Sequence, residues 1–195
     1  MTIRMSTEER RVQITDAAIK IIGERGLRAF TVAQMAQEVG IKDGTIFRHF
    51  KNKDEIVIAA LDRLEEIFVE TTPPPTADPL ERLGKFFLNR IKLVISQPGI
   101  QCLLFSDQLI HAGGEAGLKR VTELRMKGRK YIQSCLLEAS EKQLIRQELD
   151  LDDILILFHG AVMSLLFLAQ DNSLEGSIED RAERVWKTLT SMIRR

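Results

Sequence analysis

The side chains best suited to specific chemistry lie between residues 31 and 50 of the 195-residue chain, where basic, hydroxyl and amide groups are interspersed with apolar residues. Thr31 and Asp43 each precede a short run with helical spacing, and both are residue types that cap helix N-termini. Gly40 lies between the two runs, where glycine tolerates the left-handed conformation that ends a helix. The segment therefore predicts a helix-turn-helix, in which the second helix enters the major groove of DNA.

Apolar residues in this segment recur so that the two short helices face each other across the turn. The predicted contact set is Met35, Ala36, Val39, Ile41, Ile46 and Phe50. Because two short helices cannot bury a core alone, a first helix is required, and residues 7–25 supply an amphipathic one. A capping box at residues 6–9 begins this helix and Gly26 ends it, after which Leu27 and Phe30 are expected to point inward.

Other chemistries find little support in the sequence. No Ser-His-Asp, His-Glu-x-x-His, Cys-x-x-Cys or glycine-rich phosphate motif is recognisable, so neither an enzyme nor a cofactor is expected. His111 and His159 lack the carboxylate or second-histidine spacing of a metal site, so no metal is predicted. Cys102 and Cys135 have no close-spaced cysteine, which favours a reduced, cytoplasmic setting.

The formal net charge is zero, but the charges are unevenly distributed. Residues 1–53 hold 10 Lys/Arg and 6 Asp/Glu, whereas the remaining residues hold 18 and 22. A positive module on a negative body is typical of a DNA-binding head, and chance unevenness of this size is the alternative.

Helical periodicity continues over the rest of the chain, with neither strand-like alternation nor an internal repeat. A fourth helix is predicted from Asn52 or Lys53 to about Thr71, and the prolines at 73–75 mark its end. Five further helices are predicted near residues 79–95, 100–110, 115–140, 154–169 and 178–193, with a surface connection at 143–150. The predicted fold class is all-α, with about nine helices.

Three regions follow: a helix-turn-helix domain at 1–53, a connecting helix at 54–72, and a helical domain at 73–195. The stretch at 154–169 is apolar nearly all round, which predicts burial on more than one side, and it is too short to span a bilayer comfortably. With the amphipathic last helix it indicates a four-helix homodimer interface, while burial in the core of its own subunit is the alternative.

The helix-turn-helix segment also carries a family signature. It consists of Gly26-Leu27, Phe30-Thr31, Ala36, Gly40-Ile41, Gly44-Thr45-Ile46-Phe47, His49-Phe50, Lys53 and Ile56. On these residues the chain resembles the TetR family of transcriptional regulators. The resemblance implies a C-terminal domain for ligand sensing and dimerisation, and a repressor that a small-molecule effector releases from a palindromic operator in double-stranded DNA.

Position by position, the resemblance assigns a DNA interface. Its residues are Thr31, Ala33, Gln34, Lys42, Asp43, Gly44, Thr45, Phe47, Arg48, His49 and Lys53. Thr31, His49 and Lys53 would bind phosphates, while Arg48 would read guanine and the Thr45 methyl group would contact thymine.

Two positions in this interface depart from the family pattern. Phe47 stands where the family commonly has tyrosine, so it cannot donate a hydrogen bond to a phosphate. Lys42 stands where serine or threonine is usual, and its charge would supply a phosphate or base contact instead.

The resemblance also implies an effector site in the C-terminal domain. The candidate residues are Phe86, Phe105, Gln108, Met126, Arg129, Tyr131, His159 and Met163. Packing is the alternative for each, because a helical core needs the same residue types at the same spacing. Two other functions stay open: a helical interaction protein with weakened DNA binding, to which Phe47 points, and an enzyme that uses the helical body.

Overall fold

The computed structural model describes residues 5–75, 78–105, 113–170 and 176–195. Within these ranges it contains nine α-helices and a 3₁₀ turn at Leu27–Ala29, as the all-α prediction requires. The helices are α1 Thr7–Arg25, α2 Val32–Val39, α3 Asp43–His49, α4 Lys53–Glu70, α5 Pro79–Ser96, α6 Pro98–Phe105, α7 Gly114–Glu141, α8 Leu151–Gln170 and α9 Ile178–Ile193.

Local capping interactions define the first two helices. Ser6 and Glu9 form the predicted capping box of α1, in which the Glu9 N–H donates to Ser6 Oγ at 3.1 Å. The Thr31 hydroxyl caps α2 by accepting from the Gln34 N–H at 3.2 Å. Gly40 ends α2 with a φ of 73°, a left-handed conformation that favours glycine.

The start of α3 differs from the prediction by one residue. Lys42 occupies the N-cap position, without a side-chain hydrogen bond, and Asp43 is the first helical residue. The prediction of Asp43 as the cap is therefore wrong. Its carboxylate still lies in the first turn, where negative charge stabilises the helix dipole.

The chain divides into two compact units, and the first holds Met1–Val69 together with Gln97–Arg125. In this unit α6 and the first half of α7 therefore accompany the helix-turn-helix. The contact between α6 and α1 is very close, because a Cβ added to Gly99 would lie 2.1 Å from the Ile19 carbonyl oxygen. Glycine at this position is what allows the two helices to approach. The division at residues 53 and 72 stays a prediction.

Replacing Gly99 by alanine is expected to lower the free energy of unfolding by about 1–3 kcal/mol, because the new methyl group meets backbone rather than a flexible side chain. Chemical denaturation measures the change. Gly128→Ala is the matched control, since a Cβ at Gly128 meets nothing within 4 Å. Equal stability of the two variants would contradict the close α1–α6 contact.

The second unit consists of Glu70–Ser96 and Met126–Arg195, and its core is aromatic. The ring of Phe87 lies 5.3 Å from Phe158 and 5.6 Å from Trp186, between centroids. Gly84 lies against the indole of Trp186, where an added Cβ would come within 2.4 Å of Nε1. Aromatic pairs at these separations contribute stability beyond their buried area.

The connection between α7 and α8 lies mostly at the surface, as predicted, but it is anchored at one buried residue. Ile145 is buried and forms an isolated bridge with Arg194. The Arg146 N–H also donates to the Ile193 carbonyl at 3.0 Å. This pairing with the C-terminal residues has no local sequence signal, because the residues are almost 50 positions apart.

Helix α8 leaves much of its apolar surface uncovered within one subunit. Its Leu151–Ala169 stretch has a mean hydropathy of 1.9 and is long and apolar enough to span a membrane, so the expectation that it is too short is wrong. Core helices of soluble proteins have the same length and composition. Only 28% of the stretch is buried, and its large exposed apolar residues are Ile156, Leu157, Phe167 and Leu168.

Candidate nucleic-acid interface

The helix-turn-helix is held by a buried apolar cluster. Met35, Ala36, Ile46 and Phe50 of the predicted contact set are buried, and so is Phe30, which precedes α2. The other two members, at positions 39 and 41, are half-buried at the edge of the turn. Because α2 and α3 are short, this cluster and its packing against α1 determine where α3 points.

Helix α3 is divided sharply into a buried and an exposed face. Ile46 is fully buried, whereas its neighbour Phe47 is 54% exposed. Thr45 is half-buried, and the remaining predicted base-proximal residues are exposed: Lys42, Asp43, Gly44 and Arg48. The exposed face therefore combines two cations, a carboxylate and an aromatic ring, with a glycine that offers open space for close approach.

The start of α2 presents the other predicted contacts. Thr31 and Ala33 are exposed, and Gln34 is half-buried. The Gln34 side chain accepts a hydrogen bond from Arg25 Nη1 at 2.8 Å. The N-terminus of α2, which Thr31 caps, is a position whose N–H groups and helix dipole favour an anion.

His49 and Lys53 lie at the two ends of the turn that joins α3 to α4. His49 is half-buried, and its Nδ1 is buried without a hydrogen-bond partner in the part of the chain that the structure describes. Lys53 is exposed, and its Nζ lies 4.8 Å from the centroid of the Phe30 ring. Such a cation–π contact restrains the lysine while leaving its charge available to solvent.

Sequence reasoning missed Arg11, which contacts this turn from α1. Its guanidinium lies 4.2 Å from the centroid of Phe50 and donates to the carbonyl of His49. It also forms an ion pair with Glu55 at 3.3 Å. These contacts join residues 38 to 44 positions apart, so no local pattern could have revealed them.

Glu55 completes the same arrangement from α4. Its Oε2 accepts the Lys51 N–H at 2.7 Å, and its own N–H donates to Asn52 Oδ1 at 2.9 Å. The pKa of Glu55 is lowered, mainly by the hydrogen bond from Lys51 and further by Arg11. The carboxylate therefore stays ionised over the physiological range and holds both partners.

Two of the effector candidates meet in the second unit. Phe86 and Tyr131 stack at 4.7 Å between centroids, and the Tyr131 hydroxyl donates to the Pro73 carbonyl at 3.1 Å. The Arg90 guanidinium lies 4.5 Å from the centroid of the Phe86 ring, and it also donates a hydrogen bond to the Thr71 hydroxyl. Burial raises the pKa of Tyr131 to about 12 and lowers that of Arg90 to about 10.

The remaining effector candidates are dispersed. Met126, Arg129 and His159 are exposed, and Met163 is half-buried. The His159 ring makes a 2.9 Å hydrogen-bond contact with the Leu155 carbonyl of its own helix. The side chain of Phe105 and the whole of Gln108 lie outside the described residues. No group of three metal-ligating side chains occurs among the described ones.

Known proteins are similar to this chain both in the sequence of the helix-turn-helix region and in the fold. Residues 14–60 match the family described as bacterial regulatory proteins, tetR family. The HTH-type transcriptional repressor KstR2 of Mycobacterium tuberculosis is 29% identical over 146 residues, which are 73% of this chain and 72% of that protein.

Two solved structures have the same architecture over nearly their whole length. The fatty acid degradation regulator FadR from Bacillus halodurans superposes with a TM-score of 0.76 at 20% identity, covering 93% of this chain and 94% of FadR. AibR, crystallised with isovaleryl coenzyme A and operator DNA, gives a TM-score of 0.75 at 19% identity, covering 95% and 98%.

At such low identity the structural likeness shows the fold, while the sequence matches cover residues 14–60 in the family model and 146 residues in KstR2. Members of this family regulate transcription and are not enzymes. The chain is therefore a DNA-binding transcriptional regulator and belongs to the TetR family.

Proposed function

We propose that the protein is a repressor that binds a palindromic operator as a homodimer and leaves it when a small-molecule effector binds. The observation that carries the DNA-binding part is the division of α3, in which Ile46 is fully buried and Arg48 is exposed. A helix anchored on one face and polar on the other is what insertion into a major groove requires.

In this proposal the interface residues have separate tasks. Arg48 and Lys42 contact base edges or nearby phosphates, the Thr45 methyl group contacts thymine, and Gly44 permits close approach. Phosphates are bound at the start of α2, where Thr31 lies, and by His49 and Lys53 on either side of the α3–α4 turn. The residues at the rim are Ala33, Gln34 and Asp43.

Phe47→Tyr tests the proposed geometry of the α3 surface. Phe47 is 54% exposed, so a para-hydroxyl would reach solvent and meet a phosphate oxygen in the complex. We expect affinity to rise by about 0.5–1.5 kcal/mol on operator and unrelated DNA alike, because phosphate contacts carry no sequence information. Fluorescence anisotropy with both duplexes measures the change. Tighter binding to the operator alone would place the ring against a base.

Dimerisation is proposed through α8 and α9. Among the residues that the structure describes, the large apolar side chains at 156, 157, 167 and 168 of α8 are 37–66% exposed, and Met192 of α9 is 55% exposed. A second copy related by two-fold symmetry would cover both helices with the same surface. The helical domain from residue 73 onward is the dimerisation and ligand-sensing domain in this proposal, α4 is the transmitter, and the protein acts in the cytoplasm.

The effector proposal rests on the stacked pair of Phe86 and Tyr131 with Arg90 beside it. Phe86 is buried, whereas Tyr131 and Arg90 are half-buried beside it, so these two would supply the aromatic and cationic contacts for a ligand that has both an apolar and an anionic part. AibR was solved with isovaleryl coenzyme A, and acyl-CoA thioesters have this combination, so they are the first class to test. Any such ligand must bind the DNA-free state more tightly than the DNA-bound state, or it cannot release the operator.

A gel-shift titration tests the proposal. The purified protein is mixed with the duplex that flanks its own gene and with an unrelated duplex of equal length, at moderate salt. We expect a complex that only the first duplex forms, and its loss when an acyl-CoA of suitable chain length is added. A complex that resists every acyl-CoA would redirect the effector search, whereas equal binding to both duplexes would favour the interaction-protein alternative.

A further inference from the structure

We infer that Arg11 is a positioning residue for DNA recognition, which holds the end of α3 and the α3–α4 turn in the geometry that DNA binding requires. The inference rests on the proposed DNA interface. It concerns a residue of α1 that reaches the interface only through others, His49 and Lys53 among them.

Arg11 makes two contacts at the C-terminal end of α3. The guanidinium stacks on Phe50, the residue at the C-cap of α3, and donates to the last carbonyl of the helix at His49. A cation at this end of a helix also stabilises the dipole. Because the backbone carbonyl of His49 is held from α1, the backbone position from which the His49 side chain projects is held as well.

Glu55 extends the arrangement to α4. Its carboxylate joins Arg11 to the Lys51 N–H, so one ion pair connects α1, the turn and the first turn of α4. Lys53 lies in that first turn. The two proposed phosphate ligands, His49 and Lys53, therefore stand on opposite sides of a segment that the Arg11–Glu55 pair holds together.

The pair also distinguishes positioning from direct attraction. The side chains of Arg11 and Glu55 are only 31% and 34% exposed, and their charges compensate each other. If Arg11 attracted DNA directly, removal of the Glu55 charge would strengthen binding. If Arg11 acts by positioning, removal of the same charge weakens binding, because Arg11 loses the ion pair that joins it to α4 while its contacts with His49 and Phe50 remain.

The experiment measures DNA affinity by anisotropy over a series of KCl concentrations, with the duplex that wild type protects in a footprint of the DNA flanking its gene. The variants are Arg11→Gln, Glu55→Gln and Lys53→Gln. Glu38→Gln is the matched control, because Glu38 also pairs with a cation of α1, Lys20, at 2.6 Å. Thermal unfolding of each variant reports whether the head is folded.

We expect Arg11→Gln and Glu55→Gln each to weaken binding by about tenfold, as loss of a charge-assisted hydrogen bond would. The slope of log affinity against log salt should stay at the wild-type value for both, whereas Lys53→Gln should reduce it by about 1. Glu38→Gln should bind as tightly as wild type or slightly more tightly.

Tighter binding by Glu55→Gln, unchanged affinity of Arg11→Gln, or a slope reduced by about 1 in Arg11→Gln would each overturn the inference. If Arg11→Gln does not fold, Arg11→Lys and Glu55→Gln decide: both should fold, and both should bind more weakly. Absence of any protected site for wild type would instead contradict the proposed function, so the two failures are distinguishable.

Discussion

Arg48→Ala is expected to weaken operator binding by about 1–3 kcal/mol per half-site and to relax the base preference at one position of each half-site. Arg48 is exposed on α3, in the turn that follows the buried Ile46. A guanidinium there would donate two hydrogen bonds to guanine, and alanine would leave those acceptors without a donor. Anisotropy with single-base operator variants measures both effects.

Arg28→Ala is the matched control for Arg48→Ala. Arg28 is an exposed cation of the 3₁₀ turn in the same unit, outside α3. It should weaken binding slightly and equally on every sequence, because only general electrostatic attraction is lost. Equal weakening of all operator variants by Arg48→Ala would show that this residue contacts phosphate and not bases.

Ile156→Glu is expected to convert the dimer to a monomer and to lower operator affinity by about 100-fold or more, because each head then binds its half-site alone. Ile156 is 66% exposed in the subunit, so the charge costs little there. In a dimer interface the same carboxylate would be buried without compensation. Sedimentation velocity and anisotropy give the two readouts.

Leu118→Glu is the control for the dimer prediction. Leu118 is 43% exposed on the first half of α7, in the unit that contains the head. This variant should stay dimeric. If Ile156→Glu stays dimeric, the proposed interface is contradicted. If the wild-type protein binds lipid vesicles and Ile156→Glu does not, the apolar face of α8 binds a membrane surface instead.

Local signals were enough to predict most helix boundaries. The N-cap Thr31 and the left-handed Gly40 define α2, and Ser177 caps α9, whose predicted range of 178–193 is confirmed. At α3 the prediction placed the cap at Asp43, whereas Lys42 occupies the position. A cap without a side-chain hydrogen bond leaves no trace in the sequence.

Contacts between distant residues could not be predicted in the same way. The sequence predicts a break between two helices at Pro98 and Gly99, whereas the structure begins α6 at Pro98, and no local pattern shows that the Ile19 carbonyl lies against Gly99. The Arg11–Glu55 ion pair likewise depends on how α1 packs on α4. Such contacts follow from the tertiary arrangement, which a single sequence does not specify residue by residue.

The two groups of candidate site residues differ for a related reason. The exposed face of α3 could be predicted once Ile46 was assigned to the core, because the helical repeat then places the residues of the opposite face in solvent. In the second unit, residue type alone does not separate a packed aromatic from a ligand contact. Phe86 and Tyr131 meet, whereas Met126 and His159 lie exposed on their helices.

Selection of binding sites from a random DNA library is the most direct test of the claim that a dimer reads DNA through α3. Purified wild-type protein should enrich an inverted repeat whose half-sites are centred about one helical turn apart. Arg48→Ala should enrich a repeat that has lost one base preference, symmetrically in both halves. Enrichment of no motif, or of a motif without two-fold symmetry, would contradict the account.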